Sequence, residues 1–275
     1  AGVKRVLSIF LNPSGEDLVT LVEDETRSIP LNHLEMTYYW ALASNPELAG
    51  HLHSVDSTDT DTSLRVRYGI PQDFVAIHAA NGARAIRRIA VSRDASIAVY
   101  RYRADEGELH RVDVPVVTWM KCSVGEWEIR IVPAVLQEIL STRKHALPNE
   151  TGGVLVGGVD FERSVIYVAG LIPAPADSKQ FPNGFVRGSK QLAERLGTIE
   201  RKTLGNLGYL GEWHSHPNGA GTMPSEADGK LLGWIQENTV PDGRPAVMII
   251  GGQRRECRIV VGDVSGHKTV RCPKS

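Results

Sequence analysis

The stretch that decides the reading of this chain is Glu212-Trp213-His214-Ser215-His216-Pro217, followed after a short loop by Pro224-Ser225-Glu226-Ala227-Asp228. On an extended segment residues two apart point the same way, so His214 and His216 present both imidazoles on one face while Trp213 and Ser215 take the other. Ser225 and Asp228 stand three apart at the start of an apolar-periodic segment, one helical turn, which puts hydroxyl and carboxylate on one face. The loop Asn218 to Pro224 between them contains Gly219 and Gly221 and can fold the helix start back toward the histidines. Two imidazoles and one carboxylate suit zinc and leave a fourth position open, the arrangement of catalytic rather than structural zinc. Each piece also has a plainer reading. Ser-x-x-Asp ahead of an apolar helix is a capping box, and an isolated His-x-His is an ordinary surface or core pair. Their coincidence around one glycine- and proline-containing loop favours the metal.

Upstream, the run Gly152-Gly153-Val154-Leu155-Val156-Gly157-Gly158 does not fit a nucleotide loop. A dinucleotide fingerprint places its glycines between a strand and a helix, whereas these flank an apolar strand with another strand after it. They predict close backbone approach instead. Glu150, in Pro148-Asn149-Glu150-Thr151, stands at the entrance of that strand and is, by itself, one loop acid among 32 acidic residues. Around these motifs the pattern predicts a strand over Glu126 to Val132, then a helix opened by Pro133, faced by Leu136, Ile139 and Leu140 and ended by Pro148. Strands over Gly153 to Val156, Val165 to Ile172 and Leu210 to Trp213 follow. A helix from Ser225 to Glu237 and paired strands Ala246 to Ile250 and Arg258 to Val261 complete a mixed α/β unit.

The first part of the chain reads as a smaller α/β unit. Val6 to Phe10 and Asp17 to Leu21 are strands around the turn Asn12-Pro13-Ser14-Gly15, and Leu34, Tyr38 and Leu42 mark a helix from Leu31 to Leu48. His51 to Ser63, rich in Ser, Thr and Asp, reads as a solvated loop. It holds a second pair, His51-Leu52-His53, near Asp56, Asp59 and Asp61; lacking a helix start and a glycine fold-back, this pair is expected to be solvated rather than metal-binding. Asp73 to Arg88 reads as a helix, and Ile97 to Tyr102 and Leu109 to Val114 as strands around Asp105-Glu106-Gly107. The expected organisation is an accessory unit over residues 1–120 and a second domain over 121–275.

Composition narrows the function. With 275 residues, 41% hydrophobic and 23% charged, the chain is globular and neither disordered nor fibrous. Thirty-one basic against 32 acidic residues give a net charge of -1, without a pull toward phosphate backbones or anionic lipid, so nucleic acid and membrane are not expected partners. Three cysteines, Cys122, Cys257 and Cys272, offer no CxxC pair, and no apolar run reaches the roughly 18–20 residues of a membrane span, so a reducing cytoplasm is the expected location.

Taken in order, Glu150 with Gly153, Leu155 and Gly157, then His214-Ser215-His216-Pro217, then Ser225-Glu226-Ala227-Asp228, resemble the JAB/MPN metalloprotease motif, often called JAMM, over roughly Trp127 to Val261. His216 to Asp228 spans twelve positions, one more than the common family spacing, and the extra residue falls in the glycine-containing loop. The resemblance implies an MPN/JAB-like mixed sheet flanked by helices, and one zinc per chain held by His214, His216 and Asp228. It implies that Glu150 accepts the proton of a zinc-activated water and passes it to the leaving amine, while Ser225 hydrogen-bonds the developing oxyanion. Family members cut the bond after the C-terminal glycine of ubiquitin or ubiquitin-like proteins. The implied partners are therefore a ubiquitin-like modifier or its conjugates, with the activating and conjugating enzymes of the same pathway; bacterial relatives in such company are linked to phage defence. The insert Asp177 to Arg187 is a candidate substrate-gripping loop. Leu34-Glu35-Met36, Tyr38-Tyr39 and Gln72 to Ala80 resemble the tail of a ThiF-like, ubiquitin-activating-type domain, without a glycine-rich ATP loop or a cysteine before Cys122. Two other readings stand beside the peptidase: a metal-free MPN-type scaffold, and a fragment of an activating-type enzyme with an auxiliary JAB domain.

Overall fold

Residues 4–52, 70–103, 105–263 and 266–272 are described in the computed structural model. They cluster into two units, Ala1–Thr118 with Arg201–Gly205, and Trp119–Glu200 with Asn206–Ser275.

In the first unit the strands β1 (Leu7–Leu11), β2 (Asp17–Val22), β3 (Ser96–Arg103) and β4 (Glu108–Val114) form an antiparallel sheet in that order. Strand alternation divides β2 between two helices. Val19 and Leu21 pack with Leu34, Tyr38 and Leu42 of α1 (Leu31–Ser44), while Leu18 packs with Ala85 of α2 (Gln72–Val91). The helices thus cover opposite faces. Helix α1 stops at Ser44, short of the predicted Leu48, because Asn45 turns extended and its side chain caps a 3-10 turn over Pro46–Leu48.

The sequence places His51 in a solvated loop; the structure buries it. Its Nδ1 lies 2.5 Å from Asp17 Oδ2, its Nε2 lies 2.6 Å from the Tyr38 hydroxyl, and Arg101 Nε stands 3.2 Å from the same Asp17 oxygen. A carboxylate buried at the start of β2 requires donors, and His51 supplies one. The polar composition that suggested a loop belongs to residues further on, and 53–63, with Asp56, Asp59 and Asp61, lie outside the described residues.

The second unit is built on an eight-stranded mixed sheet. Its strands are β5 (Met120–Val124), β6 (Trp127–Ile131), β7 (Gly152–Asp160), β8 (Val165–Pro173), β11 (Gly208–Ser215), β12 (Ala246–Gly251), β13 (Cys257–Asp263) and β14 (Gly266–Arg271), in the order β14-β13-β12-β11-β7-β8-β6-β5. Strands β9 (Lys179–Phe181) and β10 (Gly184–Val186) form a separate hairpin. The helices are α3 (Pro133–Ala146), α4 (Leu192–Lys202) and α5 (Glu226–Thr239). Pro133 opens α3, where a missing N–H costs nothing, and Arg143, Lys144 and His145 in its last turn suit the negative end of the helix dipole.

Leu232 and Ile235 of α5 pack on Ala246, Met248 and Ile250 of β12, while Ile139 of α3 lies against Gly251, the position of opposite parity, so the two helices flank opposite faces. The glycine run does serve close approach. A Cβ at Gly157 would stand 1.9 Å from the carbonyl oxygen of Tyr167, and one at Gly152 would stand 2.4 Å from that of Trp213 and 2.5 Å from the ring of Phe185. The fold is thus mixed α/β, with sheets flanked by helices. The three cysteines are free, and no helix among the described residues is long and apolar enough to cross a membrane.

Candidate metal centre

Strand β11 lies between β7 and β12, parallel to β12, and the register pairs His214 with Ile250 and Trp213 with Ile249. Ile250 faces α5, so the His214 imidazole falls on the α5 side, while Trp213, 1% exposed, turns into the opposite layer. His216 sits just past the strand end with its N–H donating to Gly251 O at 2.8 Å. The predicted fold-back of α5 occurs: Ser225 is its N-cap, Ser225 Oγ accepts from Asp228 N at 3.2 Å, and Asp228 Oδ2 accepts from Ser225 N at 2.6 Å. The plainer capping-box reading is therefore correct as local structure, and the same box aims the Asp228 carboxylate at the histidines.

His214, His216 and Asp228 bring one donor atom each within 4.8 Å of the others, all three residues buried. His214 Nε2 lies 2.9 Å from Asp228 Oδ1, His216 Nε2 lies 3.2 Å from Asp228 Oδ2, and the two Nε2 atoms are 3.3 Å apart. Donors about 2.0–2.1 Å from a tetrahedral zinc stand about 3.3 Å from one another, so these side chains are spaced to hold it without rearrangement. The tautomer agrees. His216 Nδ1 donates to Gly221 O at 2.6 Å, which leaves Nε2 as a lone-pair donor to metal. Burial pushes the Asp228 carboxyl up, yet the facing imidazoles of His214 and His216 and the N–H of Ser225 outweigh it and hold the group far below the usual carboxylate range.

Glu150 shares a groove of about 760 Å³ with His214, His216, Ser225 and Asp228. Its pKa is raised, chiefly by burial; the Asp228 charge adds to this and His214 and His216 oppose it. The far wall of the groove is the β9–β10 hairpin, which occupies the Asp177 to Arg187 insert and presents Phe181, Phe185, Val186 and Arg187. Glu150 N–H donates to Phe181 O at 2.8 Å, so the hairpin is bonded directly to the residue at the strand entrance. All five residues singled out from the sequence thus line one cavity.

Two arginines escaped the sequence reading. Arg143, buried in the last turn of α3, donates from Nε to His216 O and from Nη2 to Asn218 Oδ1, both at 2.8 Å. Nothing in spacing links it to a residue 73 positions away. Arg187 pairs with Glu212, the first residue of the quoted motif; burial pushes the Glu212 carboxyl up while Arg187 pulls it down. The one sequence signal was an acid two positions from His214, on the same strand face.

The family described as prokaryotic homologs of the JAB domain matches residues 132–261. A protein of Enterobacter hormaechei subsp. hoffmannii named CD-NTase/cGAS isopeptidase is 32% identical over 126 residues, covering 46% of this chain and 68% of that protein. Among solved structures, that of protein DSY2949 from Desulfitobacterium hafniense is 23% identical and overlays with a TM-score of 0.38, covering 52% of this chain and 89% of that one. Through its second unit, this chain belongs to the family of prokaryotic homologs of the JAB domain.

Proposed function

We propose that this JAB-family chain is a zinc-dependent isopeptidase that hydrolyses the bond after the C-terminal glycine of a ubiquitin-like modifier. The observation that carries the reading is the convergence of His214, His216 and Asp228 in one groove with Glu150. The name of the Enterobacter relative supports the reaction class.

Zinc held by the three side chains would supply Lewis acidity and a water acidic enough, with a pKa of about 7, to give a nucleophile at neutral pH. Glu150 would act as the general base toward the attacking water and then protonate the leaving amine. A raised carboxyl pKa suits a group that must hold the proton between the two transfers. Ser225 stabilises the oxyanion: its cap uses the hydroxyl oxygen as acceptor, so the hydroxyl hydrogen stays available to donate, and the two roles coexist. The outer edge of β10 has no strand partner among the described residues, so an extended glycine-ended tail can add there as a further strand. The first unit, with its likeness to the tail of a ThiF-like domain, serves in this reading to present substrate or to engage activating and conjugating enzymes.

The test is hydrolysis of glycine-terminated peptides linked through the terminal carboxyl to a fluorogenic amine, using zinc-loaded full-length protein. Glu150→Gln should abolish cleavage while one zinc per chain is retained, and His214→Ala should lose the zinc. A Glu150→Gln variant that cuts as fast as the parent would remove the assigned base. A parent that binds no zinc and cuts nothing would leave the scaffold reading in its place.

A further inference from the structure

The β9–β10 hairpin is held at three places. At its base, Asp177 accepts from Ser189 N and Lys190 N, each at 3.0 Å, and Ser178 Oγ accepts from Gly188 N at 2.9 Å. On its β9 side, Phe181 O accepts from Glu150 N and Gln180 Nε2 donates to Thr151 Oγ1 at 3.0 Å. On its β10 side, Arg187 Nε lies 2.8 Å from both carboxylate oxygens of Glu212.

The third attachment is unlike the others because it is an ion pair whose carboxylate is buried. The Glu212 side chain is 4% exposed and Arg187 21%. Tyr209 donates its hydroxyl to Glu212 Oε1 at 3.2 Å, and Arg187 Nη1 donates to Gly188 O at 2.9 Å. Such a pair adds little net stability over an apolar contact, but it fixes direction, since a buried carboxylate tolerates few other neighbours. Glu212 sits two residues before His214 on β11, on the same strand face. The pair therefore joins the wall of the groove to the strand that carries His214, while the Phe181 bond joins it to Glu150.

We infer that Arg187 and Glu212 are a positioning pair that holds the hairpin in its substrate-receiving register against β11 before substrate arrives. This rests on the isopeptidase reading for its kinetic consequence, not for its structural one. Arg187 lines the groove, yet its Nε and Nη1 are committed to Glu212 and Gly188, so it acts on substrate through the hairpin. Breaking the pair leaves the metal ligands and Glu150 in place and frees the wall, so the loss falls on binding rather than on turnover.

The test compares the parent with Arg187→Lys, Glu212→Gln and the double variant Arg187→Met/Glu212→Gln, which removes both charges and leaves no unpaired buried carboxylate. The glycine-terminated fluorogenic peptides supply KM and kcat, metal analysis supplies zinc content, and amide hydrogen exchange reports Gly184 to Val186. In the double variant KM should rise about tenfold, within the range of couplings inside one buried network. Its kcat should stay within about twofold of the parent, as expected when only uniform binding is lost. Hairpin amides should lose protection, with zinc retained and Arg187→Lys intermediate. Unchanged KM and protection would overturn the inference, as would a fall in kcat together with zinc, which would assign the pair to the metal ligands instead. If the parent cleaves none of the peptides, the isopeptidase reading fails, and hydrogen exchange alone still decides whether the pair holds the hairpin.

Discussion

Arg143 donates from Nε to the carbonyl oxygen of His216 at 2.8 Å, a contact between the end of α3 and a metal-ligand candidate just past the end of β11. The same guanidinium reaches Asn218 Oδ1, so one buried cation fixes both His216 and the start of the loop that returns to α5. The carbonyl of Gly221, in that loop, accepts the Nδ1–H of His216. Arg143→Met keeps most of the apolar stem and deletes both hydrogen bonds. Zinc should then bind about 10- to 100-fold more weakly, the usual consequence of removing a group that orients a ligand. Competition against a chromophoric chelator measures it, and an unchanged affinity would mean that the loop holds its shape without the arginine.

Ser225 separates a stability role from a chemical one. As N-cap it satisfies Asp228 N, but glycine is nearly as good a cap, so Ser225→Gly should cost only a few tenths of a kcal/mol in stability. Loss of an oxyanion donor is far more serious, with kcat falling about 10²- to 10³-fold. Thermal unfolding and turnover measured on the same preparation distinguish the two roles. Equal, small effects on both would restrict Ser225 to capping.

Glu150 carries a pH signature. Burial raises its folded pKa, so between the ordinary glutamate value of about 4.3 and that raised value the folded chain holds more protons than the unfolded one. Stability in the metal-free protein therefore falls as pH rises through this window. Glu150→Gln removes the titration. The metal-free variant should melt above the parent at pH 7, and the gap should close as pH drops below about 4. A gap that is constant with pH would show that burial does not raise the carboxyl's pKa in the folded chain.

How far these features could be read in advance depends on the range of the interactions behind them. His214, His216, Ser225 and Asp228 lie within fifteen consecutive positions, where strand alternation and one helical turn suffice to bring them together. Glu150 became visible only through the resemblance, since no periodicity connects a loop acid to a strand more than sixty residues later. The α3 helix and the β12–β13 hairpin were legible because apolar period and proline placement agree there. Strand β5, helix α4 and strand β14 were not: β5 and β14 are short and largely unburied at the two edges of the sheet, β14 being mostly polar, and α4 buries little beyond Leu192. The β9–β10 hairpin is three residues per strand and all but Gly184 and Phe185 are exposed, so its shape is set by the contacts to Thr151, Glu150 and Glu212 rather than by its own pattern.

The misread histidine of the first unit supplies a last expectation. His51 bonds Asp17 through Nδ1 and the Tyr38 hydroxyl through Nε2, so each buried polar group is satisfied by the next, with Arg101 balancing the carboxylate. The side chain of His51 is fully buried and that of Asp17 nearly so, and Asp17 sits where β2 begins, so this chain of bonds fixes the segment after α1 to the sheet. Removing one partner from such a pair strands the other without compensation. Asp17→Ala should therefore destabilise the protein by about 3–5 kcal/mol, while Tyr38→Phe, which deletes one hydrogen bond and keeps the ring packing, should cost about 1–3 kcal/mol. Urea unfolding measures both. Zinc content should be unaffected in either variant, because the candidate ligands lie on and just past β11 and on α5; loss of zinc in Asp17→Ala with the second unit still folded would mean that the first unit has a part in metal binding.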